Sequence, residues 1–360
     1  MRIGIDAREI AGHATGVGRF LSGLLREWSG SSAGSQHEFV LYAPGPIDVA
    51  LDARRFRTRV VPGDAGTWWE QMRLPGAIAG DALDVFFAPA YTAPLRVTVP
   101  VVAAIYDLSY VAHPEWFRLR EGIRRRWLTE RTADNARSII TLSQFSRGEI
   151  IDRLAVPAAR VHAIVPGIER LNATPRRDSG PRVLYAGSLF NRRHVPDLVR
   201  AVGTLARTRP EVSLDIVGDD RTFPHEDLGQ IAVKLGLGDQ VRWHRYVTDD
   251  QLLELYTRAR AFAFLSEYEG LGMTPLEALT AGVPPVLYDT AVAREACGAA
   301  ALYVPVGDRA GVVQALDRAL FDDATRAAIL SAAPATLARY DWPRAARETL
   351  AVIEDAGRDR

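Results

Sequence analysis

The sequence is nearly free of cysteine: Cys297 is the single one in 360 residues. An internal disulfide is therefore excluded, and a reducing compartment is the expected home. Net charge is also lacking. The 44 basic side chains are balanced by 44 acidic ones, so there is no global case for nucleic-acid binding. No apolar run approaches the roughly 20 residues that span a bilayer. The opening, MRIGIDAREI, has neither a long apolar core nor a cleavage pattern. No repeat or low-complexity tract is visible. There is no D-x-D in a loop and no His/Cys cluster of the kind that binds a metal. These absences predict a cytoplasmic protein with no metal and no resident cofactor. What is present is 48% hydrophobic residues in a chain long enough for two α/β domains.

The stretch SEYEGLGMTPLEALTAGVPPV, Ser266 to Val286, organises the rest. AFAFL before it reads as a strand. Gly270 and Gly272 let the backbone turn and come close to a ligand. Thr274 reads as an N-cap, with Pro275 at the first helical position and Glu277 three after the cap. Gly282 and the following Pro284-Pro285 end the helix. Strand, glycine loop and helix N-terminus together make an anion site. Glu269 and Glu277 flank it with seven residues between them. Glu277 is either the capping-box partner or a ligand group. Glu269 has no capping role to fill. Two acids here suit an anion that also carries hydroxyls, a sugar or a ribose, because carboxylates accept from hydroxyl groups.

The stretch resembles the E-x(7)-E signature of the retaining glycosyltransferases of family 4, whose usual form is close to S-x-x-E-G-F-G-L-P-x-L-E-A-M-A-x-G-x-P-V. Leu271 stands where Phe is usual, and Met273-Thr274 where Leu-Pro is usual; both glutamates, both glycines, Ser266, Gly282 and Pro284 are kept. IDAREI, GVGRF, WWEQMRLP, DVFFAPAYTAPL and AAIYDLSYVAHPEWF are similar to one mannosyltransferase-rich subgroup. In that subgroup G-x-G-R-Y lies at the donor–acceptor cleft. Gly16 and Gly18 therefore carry two readings, a plain strand-to-helix turn or a close approach to ligand. Phe87 and Tyr106 depart from the subgroup, which has histidines there. The second of these lies near the transferred sugar, so the resemblance makes Tyr106 a stand-in, with Asp107 beside it.

Along the chain, strands are expected at about 38–42, 57–61, 84–87 and 100–105, alternating with helices that include Arg19 to Trp28 and Thr67 to Ile78. This is the pattern of a parallel sheet wrapped by helices. Arg118 to Arg137 reads as a basic helix: a solvated face, or a contact to an anionic membrane surface where a lipid-linked acceptor waits. Ser143 reads as the cap of the next helix. The first domain is expected to cover 1–170, a polar linker 171–180, the second domain 181–342, and a helix at 343–360 that packs on the first domain. Asn172-Ala173-Thr174 spells a glycosylation sequon that a cytoplasmic chain would leave unmodified. In SLFNRRH the family's G-S-L-x-x-R-K-N pattern sets Ser188 and Arg192 in the donor loop, Arg193 at the phosphate-binding lysine and His194 at its Asn or Gly. Arginine is a competent, bidentate phosphate ligand.

The resemblance implies a GT-B fold: α/β, two Rossmann-like domains facing across a cleft. It implies transfer of a hexosyl group, mannose first, from a GDP- or UDP-sugar to a glycan, lipid-linked or small-molecule acceptor. The expected catalytic residues are Glu269, Arg193, Tyr106 and Asp107. The expected donor-binding set is Gly16, Gly18, Ser188, Arg192, Arg193, Tyr246, Val247, Glu269, Gly270, Leu271, Gly272, Met273, Thr274 and Glu277. An epimerase of the same fold, and a non-catalytic nucleotide-sugar binder, are the competing readings.

Overall fold

The computed structural model describes residues 1–12, 16–171 and 180–358. The expected linker and its sequon lie almost wholly outside them. The described chain forms two compact units. One comprises Met1–Pro114, Leu119–Gly167 and Tyr340–Arg360; the other comprises Glu115–Arg118 and Ile168–Arg339.

The first unit is built on seven parallel strands: β1 Arg2–Asp6, β2 Glu38–Ala43, β3 Phe56–Val60, β4 Val85–Ala88, β5 Val101–Ala104, β6 Ser138–Thr141 and β7 Val161–Ala163. Their order is β3-β2-β1-β4-β5-β6-β7. Such strands are buried on both faces, which is why they read as apolar runs. Order reverses between β1 and β4, and the crevice at the carboxyl ends of such a pair is where open α/β sheets bind ligands. Phe39 of β2 stacks on Trp28 and Phe56, with ring centroids 5.6 and 4.5 Å away. The helix Trp342–Arg358 belongs to this core. Trp28 Nε1 donates to the Ala346 carbonyl at 2.9 Å, and His37 pairs with Glu354 at 2.8 Å. Gly23 and Gly167 make room for the Trp342 ring; a Cβ on either would lie 2.4 or 2.2 Å from it.

The helix expected over 67–78 is interrupted. Trp69–Arg73 is a π-helical turn, followed by an α-helix over Leu74–Ala79. The wider turn buries Trp69 and Glu70 together, with Leu74 five residues beyond Trp69. The helix expected from Arg19 begins at Gly16. Ser143 caps Gln144–Leu154, accepting from the Ser146 N–H.

The second unit has six parallel strands: β8 Arg182–Ala186, β9 Ser213–Val217, β10 Val241–His244, β11 Ala261–Phe264, β12 Pro285–Tyr288 and β13 Leu302–Val304. Their order, β10-β9-β8-β11-β12-β13, reverses between β8 and β11.

Candidate active site

Two loops leave the switch point of the second sheet, one after β8 and one after β11. The first is forced by backbone crowding. Gly187 has φ 140° and Gly218 has φ 144°; a Cβ at Gly218 would sit 2.1 Å from the Gly187 oxygen, and one at Gly187 would sit 2.9 Å from Arg193 Nη1. Only glycine fits either place. Asn191–Arg193 then makes a single 3₁₀ turn, and the helix Val195–Ala206 follows.

That turn aims both arginines at Glu269. Arg193 Nε donates to Glu269 Oε1 at 2.7 Å, while its Nη1 donates to the Ser188 carbonyl at 2.8 Å. Arg192 Nε lies 3.8 Å from the same oxygen. Ser266 Oγ adds a third contact at 2.9 Å. Phe190 lies under both guanidinium groups, at 4.7 and 5.3 Å, and Phe264 is 4.9 Å from that of Arg193. Burial alone would push the Glu269 carboxyl up; the charges of Arg193 and Arg192 outweigh it and hold the group below its ordinary value. Burial likewise opposes the charge on Arg193, and Glu269 more than restores it. The Ser188 carbonyl also accepts from Tyr185, and its hydroxyl donates to Asp219 at 2.6 Å.

The capping box expected at Thr274 is not formed. The helix is Met273–Thr280, its N-cap is Gly272 in the left-handed conformation at φ 82°, and no side chain caps it. A glycine that takes positive φ at the cap starts the helix earlier, so Thr274 falls inside the first turn; its hydroxyl is buried without a hydrogen-bond partner. Glu277 is thereby released from the cap, and Tyr256 approaches its Oε2 at 3.5 Å. The C-terminus follows expectation: Gly282, at φ 71°, donates to Leu279 and Val283 donates to Ala278, a Schellman ending. Leu271 is buried.

Ser188, Arg192, Arg193, Glu269, Gly270 and Gly272 thus share one loop cluster. Tyr246 and Val247 follow β10, with the Tyr246 side chain 74% exposed. In the first unit, Gly16 and Gly18 open the helix Gly16–Gly30. Tyr106 is 6% exposed and packs edge-on against Phe20 and Tyr91. Its hydroxyl donates to the Pro89 carbonyl, so it is engaged with backbone rather than held out to a sugar. Asp107 caps a turn, accepting from the Ser109 N–H at 2.9 Å and the Tyr91 hydroxyl at 2.9 Å.

Sequence reasoning missed a second charged cluster at the switch point of the first sheet. Asp6 ends β1, Arg8 follows, and Glu70 arrives on the π-turn; all three are buried. Arg8 lies 3.1 Å from Asp6 Oδ2 and bonds Glu70, which also accepts from Thr92 at 2.7 Å and Gln71 at 2.9 Å. Burial, only partly offset by Arg8, pushes Asp6 up to about 6. The one available signal was an acid at the end of an apolar strand.

The fold agrees with what known proteins show. Residues 14–170 match the family described as Glycosyltransferase Family 4, and residues 169–336 match Glycosyl transferases group 1. The O-antigen chain mannosyltransferase B of Escherichia coli is 26% identical over 74% of this chain and 73% of its own. The GDP-mannose:cellobiosyl-diphosphopolyprenol α-mannosyltransferase of Xanthomonas campestris is 28% identical over 59% of this chain and 57% of its own. Anabaena HepE, solved in complex with UDP and glucose, superposes with a TM-score of 0.76 at 19% identity, covering 99% of this chain and all of that one; this likeness shows the GT-B fold. The chain belongs to the family 4 glycosyltransferases.

Proposed function

We propose that the second unit binds a nucleotide-diphosphate sugar and that the enzyme moves its hexosyl group, with retention and without a metal ion, to a hydroxyl acceptor. The observation that carries this reading is the convergence of Arg192 and Arg193 on Glu269 beside the N-terminus of Met273–Thr280. Two guanidinium groups beside a helix N-terminus are the donors that a diphosphate would meet. Preorganised donors at developing charge are usually the largest catalytic contribution. In this reading Arg193, helped by Arg192, holds the diphosphate. Glu269 keeps one oxygen on Arg193 and accepts sugar hydroxyls with the other. Glu277 accepts ribose hydroxyls, and backbone from Gly270 to Thr274 lines the cradle. The leaving phosphate takes the acceptor's proton on the same face of the sugar. GDP-mannose is the first donor to try, since the Escherichia coli and Xanthomonas relatives are named mannosyltransferases; UDP-sugars come next, since HepE was solved with UDP.

Thermal shift with GDP, UDP, ADP and dTDP tests the donor. Ligand at one hundred times its dissociation constant stabilises by about 2.7 kcal/mol. No shift with any of the four overturns the reading. Sugar transfer that dies in EDTA and returns with magnesium or manganese overturns its metal-free part.

No helix of the described residues is long and apolar enough to cross a membrane. The acceptor's lipid carrier is instead met, in this reading, by the helix Leu119–Asn135. Leu119, Ile123 and Trp127 are 77, 60 and 50% exposed. Spaced four apart, they form one stripe, with Arg120, Arg124 and Arg131 along one flank and Arg126 along the other. That charge complements an anionic lipid surface. Co-sedimentation with phosphatidylglycerol vesicles, lost in Ile123→Ser/Trp127→Ser and absent with phosphatidylcholine, is the expected result; equal pelleting of the variant overturns it.

A further inference from the structure

His194 is this chain's departure from the family pattern, which has Asn or Gly at its place. It connects the Asn191–Arg193 turn to the helix Val195–Ala206, and it is held at φ 46°, ψ 36°. Glycine and asparagine reach this left-handed region at low cost, and histidine is enriched there too. Carboxylates flank the ring on two sides. Its Nδ1 lies 3.4 Å from Asp197 on its own helix, and its Nε2 lies 3.2 Å from Glu267 in the loop after β11, ion-pair distances without hydrogen-bond alignment at Nε2. The ring also stands edge-on to Tyr288, with centroids 5.4 Å apart.

A neutral imidazole carries one N–H; two carboxylates on opposite nitrogens call for the imidazolium. The carboxylates are themselves anchored. Asp197 takes Arg309 at 2.7 Å and Arg200 at 3.3 Å, and Arg200 reaches Glu226 at 2.6 Å. The Glu267 N–H donates to the Arg192 carbonyl at 3.0 Å. Two residues further on, Glu269 takes Arg193. The two loops of the candidate site are therefore joined at three successive points, by backbone at Arg192, by a guanidinium at Arg193 and by an imidazole at His194.

We propose that His194, protonated on both ring nitrogens, is a positioning residue: it fastens the Arg192–Arg193 turn to the loop carrying Glu269 and so sets how tightly the diphosphate is held. This rests on the donor reading above. The groups facing the ring are Asp197 and Arg200 on its helix, Arg309 behind Asp197, Glu267 and Glu269 on the β11 loop, and Tyr288 on β12. Burial would lower the imidazole; Asp197 and Glu267 outweigh it and raise the group above its ordinary value. A raised pKa keeps the clamp closed below the ordinary imidazole value and opens it as pH climbs through the raised one.

The test is calorimetric binding of GDP and of UDP, from pH 6 to pH 9, to the wild-type protein and to His194→Asn and Glu267→Gln. Asparagine tolerates the left-handed backbone, so the first variant keeps its fold. The nucleotide's own phosphate titrates identically in all three proteins, so differences between them isolate the clamp. Wild-type affinity is expected to fall relative to His194→Asn as pH rises, by about tenfold for one pKa unit of linkage. Glu267→Gln should bring the imidazole's own titration, followed by NMR, back toward its ordinary value. Parallel pH profiles for wild type and His194→Asn overturn the clamp while leaving the donor reading intact. Failure of the wild type to bind either nucleotide at any pH overturns both.

Discussion

Each sheet carries a charged triad at the carboxyl ends of its switch-point strands, fully buried in the first unit and partly buried in the second, and the two are opposite in composition. In the first unit one arginine, Arg8, sits between two acids, Asp6 and Glu70. In the second, two arginines, Arg192 and Arg193, share one acid, Glu269. Buried charges are tolerated when paired and hydrogen-bonded, and here acids outnumber the base in the first triad while bases outnumber the acid in the second. In the proposed reading the second triad takes the anionic ligand. The carboxyl groups differ accordingly: Asp6 is pushed up to about 6, whereas Glu269 is held below its ordinary value. One triad carries a strained acid. The other holds a relaxed acid between two guanidinium groups.

The largest effect should come from the first triad. Arg8→Met leaves Asp6 and Glu70 buried with no counter-charge, a loss on the order of 3–5 kcal/mol. Urea unfolding measures it. Nucleotide affinity of the folded fraction should be unchanged, because the proposed donor site lies in the other unit. A variant as stable as wild type would mean that Glu70 is supported by Thr92 and Gln71 alone.

Next in size is the pH response of Asp6. Its folded pKa is raised, so the group costs nothing below its unfolded pKa, and stability is lost as pH rises through about 6. Two units amount to on the order of 3 kcal/mol. Wild type should gain on Asp6→Asn as the buffer moves from pH 7 to pH 4, read from unfolding midpoints. Glu269→Gln should show the opposite sign: the wild type's advantage is present above the ordinary carboxylate range and shrinks as pH falls below it. Identical pH curves for both variants would dissolve the contrast between the triads.

How much of this was legible follows from the range of the interactions. The strands were visible because burial on both faces writes continuous apolar runs, and Ser143 because an N-cap bonds three residues away. Partners far apart in sequence were not: Arg193 and Glu269 are separated by 76 positions, Arg8 and Glu70 by 62. Arg193 and Glu269 were each singled out, but as separate ligands of one substrate; that they also bind each other left no local trace. The π-turn that buries Glu70 was equally invisible, since an α-helix fits the same letters. The capping box failed for a local reason. Thr-Pro-x-Glu satisfied the pattern at Thr274, yet Gly272 could take positive φ and capture the cap. A box did form elsewhere, between Thr248 and Gln251.

Arg193→Ala tests the proposed diphosphate contact directly. Losing a charge-assisted bond to the diphosphate should cost about 1.5–3 kcal/mol, roughly ten- to more than a hundredfold in kcat/KM for the donor. Stability should fall as well, because Glu269 loses its nearest partner. Arg193→Lys keeps the charge but not the fork between Glu269 and the Ser188 carbonyl. It should recover much of the donor affinity and little of the stability. If Arg193→Ala leaves the advantage of diphosphate over nucleoside unchanged, the second triad is structural, like the first.

The smallest effect is assigned to Glu277, and it separates two roles that the sequence had left joined. Had the glutamate closed a capping box, removing it would cost about 0.5–2 kcal/mol of stability. The box is absent, with Gly272 at the N-cap and no side chain on it, so no cap is lost in Glu277→Ala. The Tyr256 contact at 3.5 Å is at the limit of a hydrogen bond. Glu277→Ala should therefore melt within about 1 kcal/mol of wild type, as a change away from caps and core usually does. Its consequence should appear in ligand choice. Wild type should bind GDP or UDP more tightly than the 2′,3′-dideoxy analogue, and the variant should bind the pair equally, because the lost acceptor is the one proposed for the ribose hydroxyls. A variant that still prefers the ribonucleotide would move ribose recognition to another group and leave Glu277 with its contacts inside the protein.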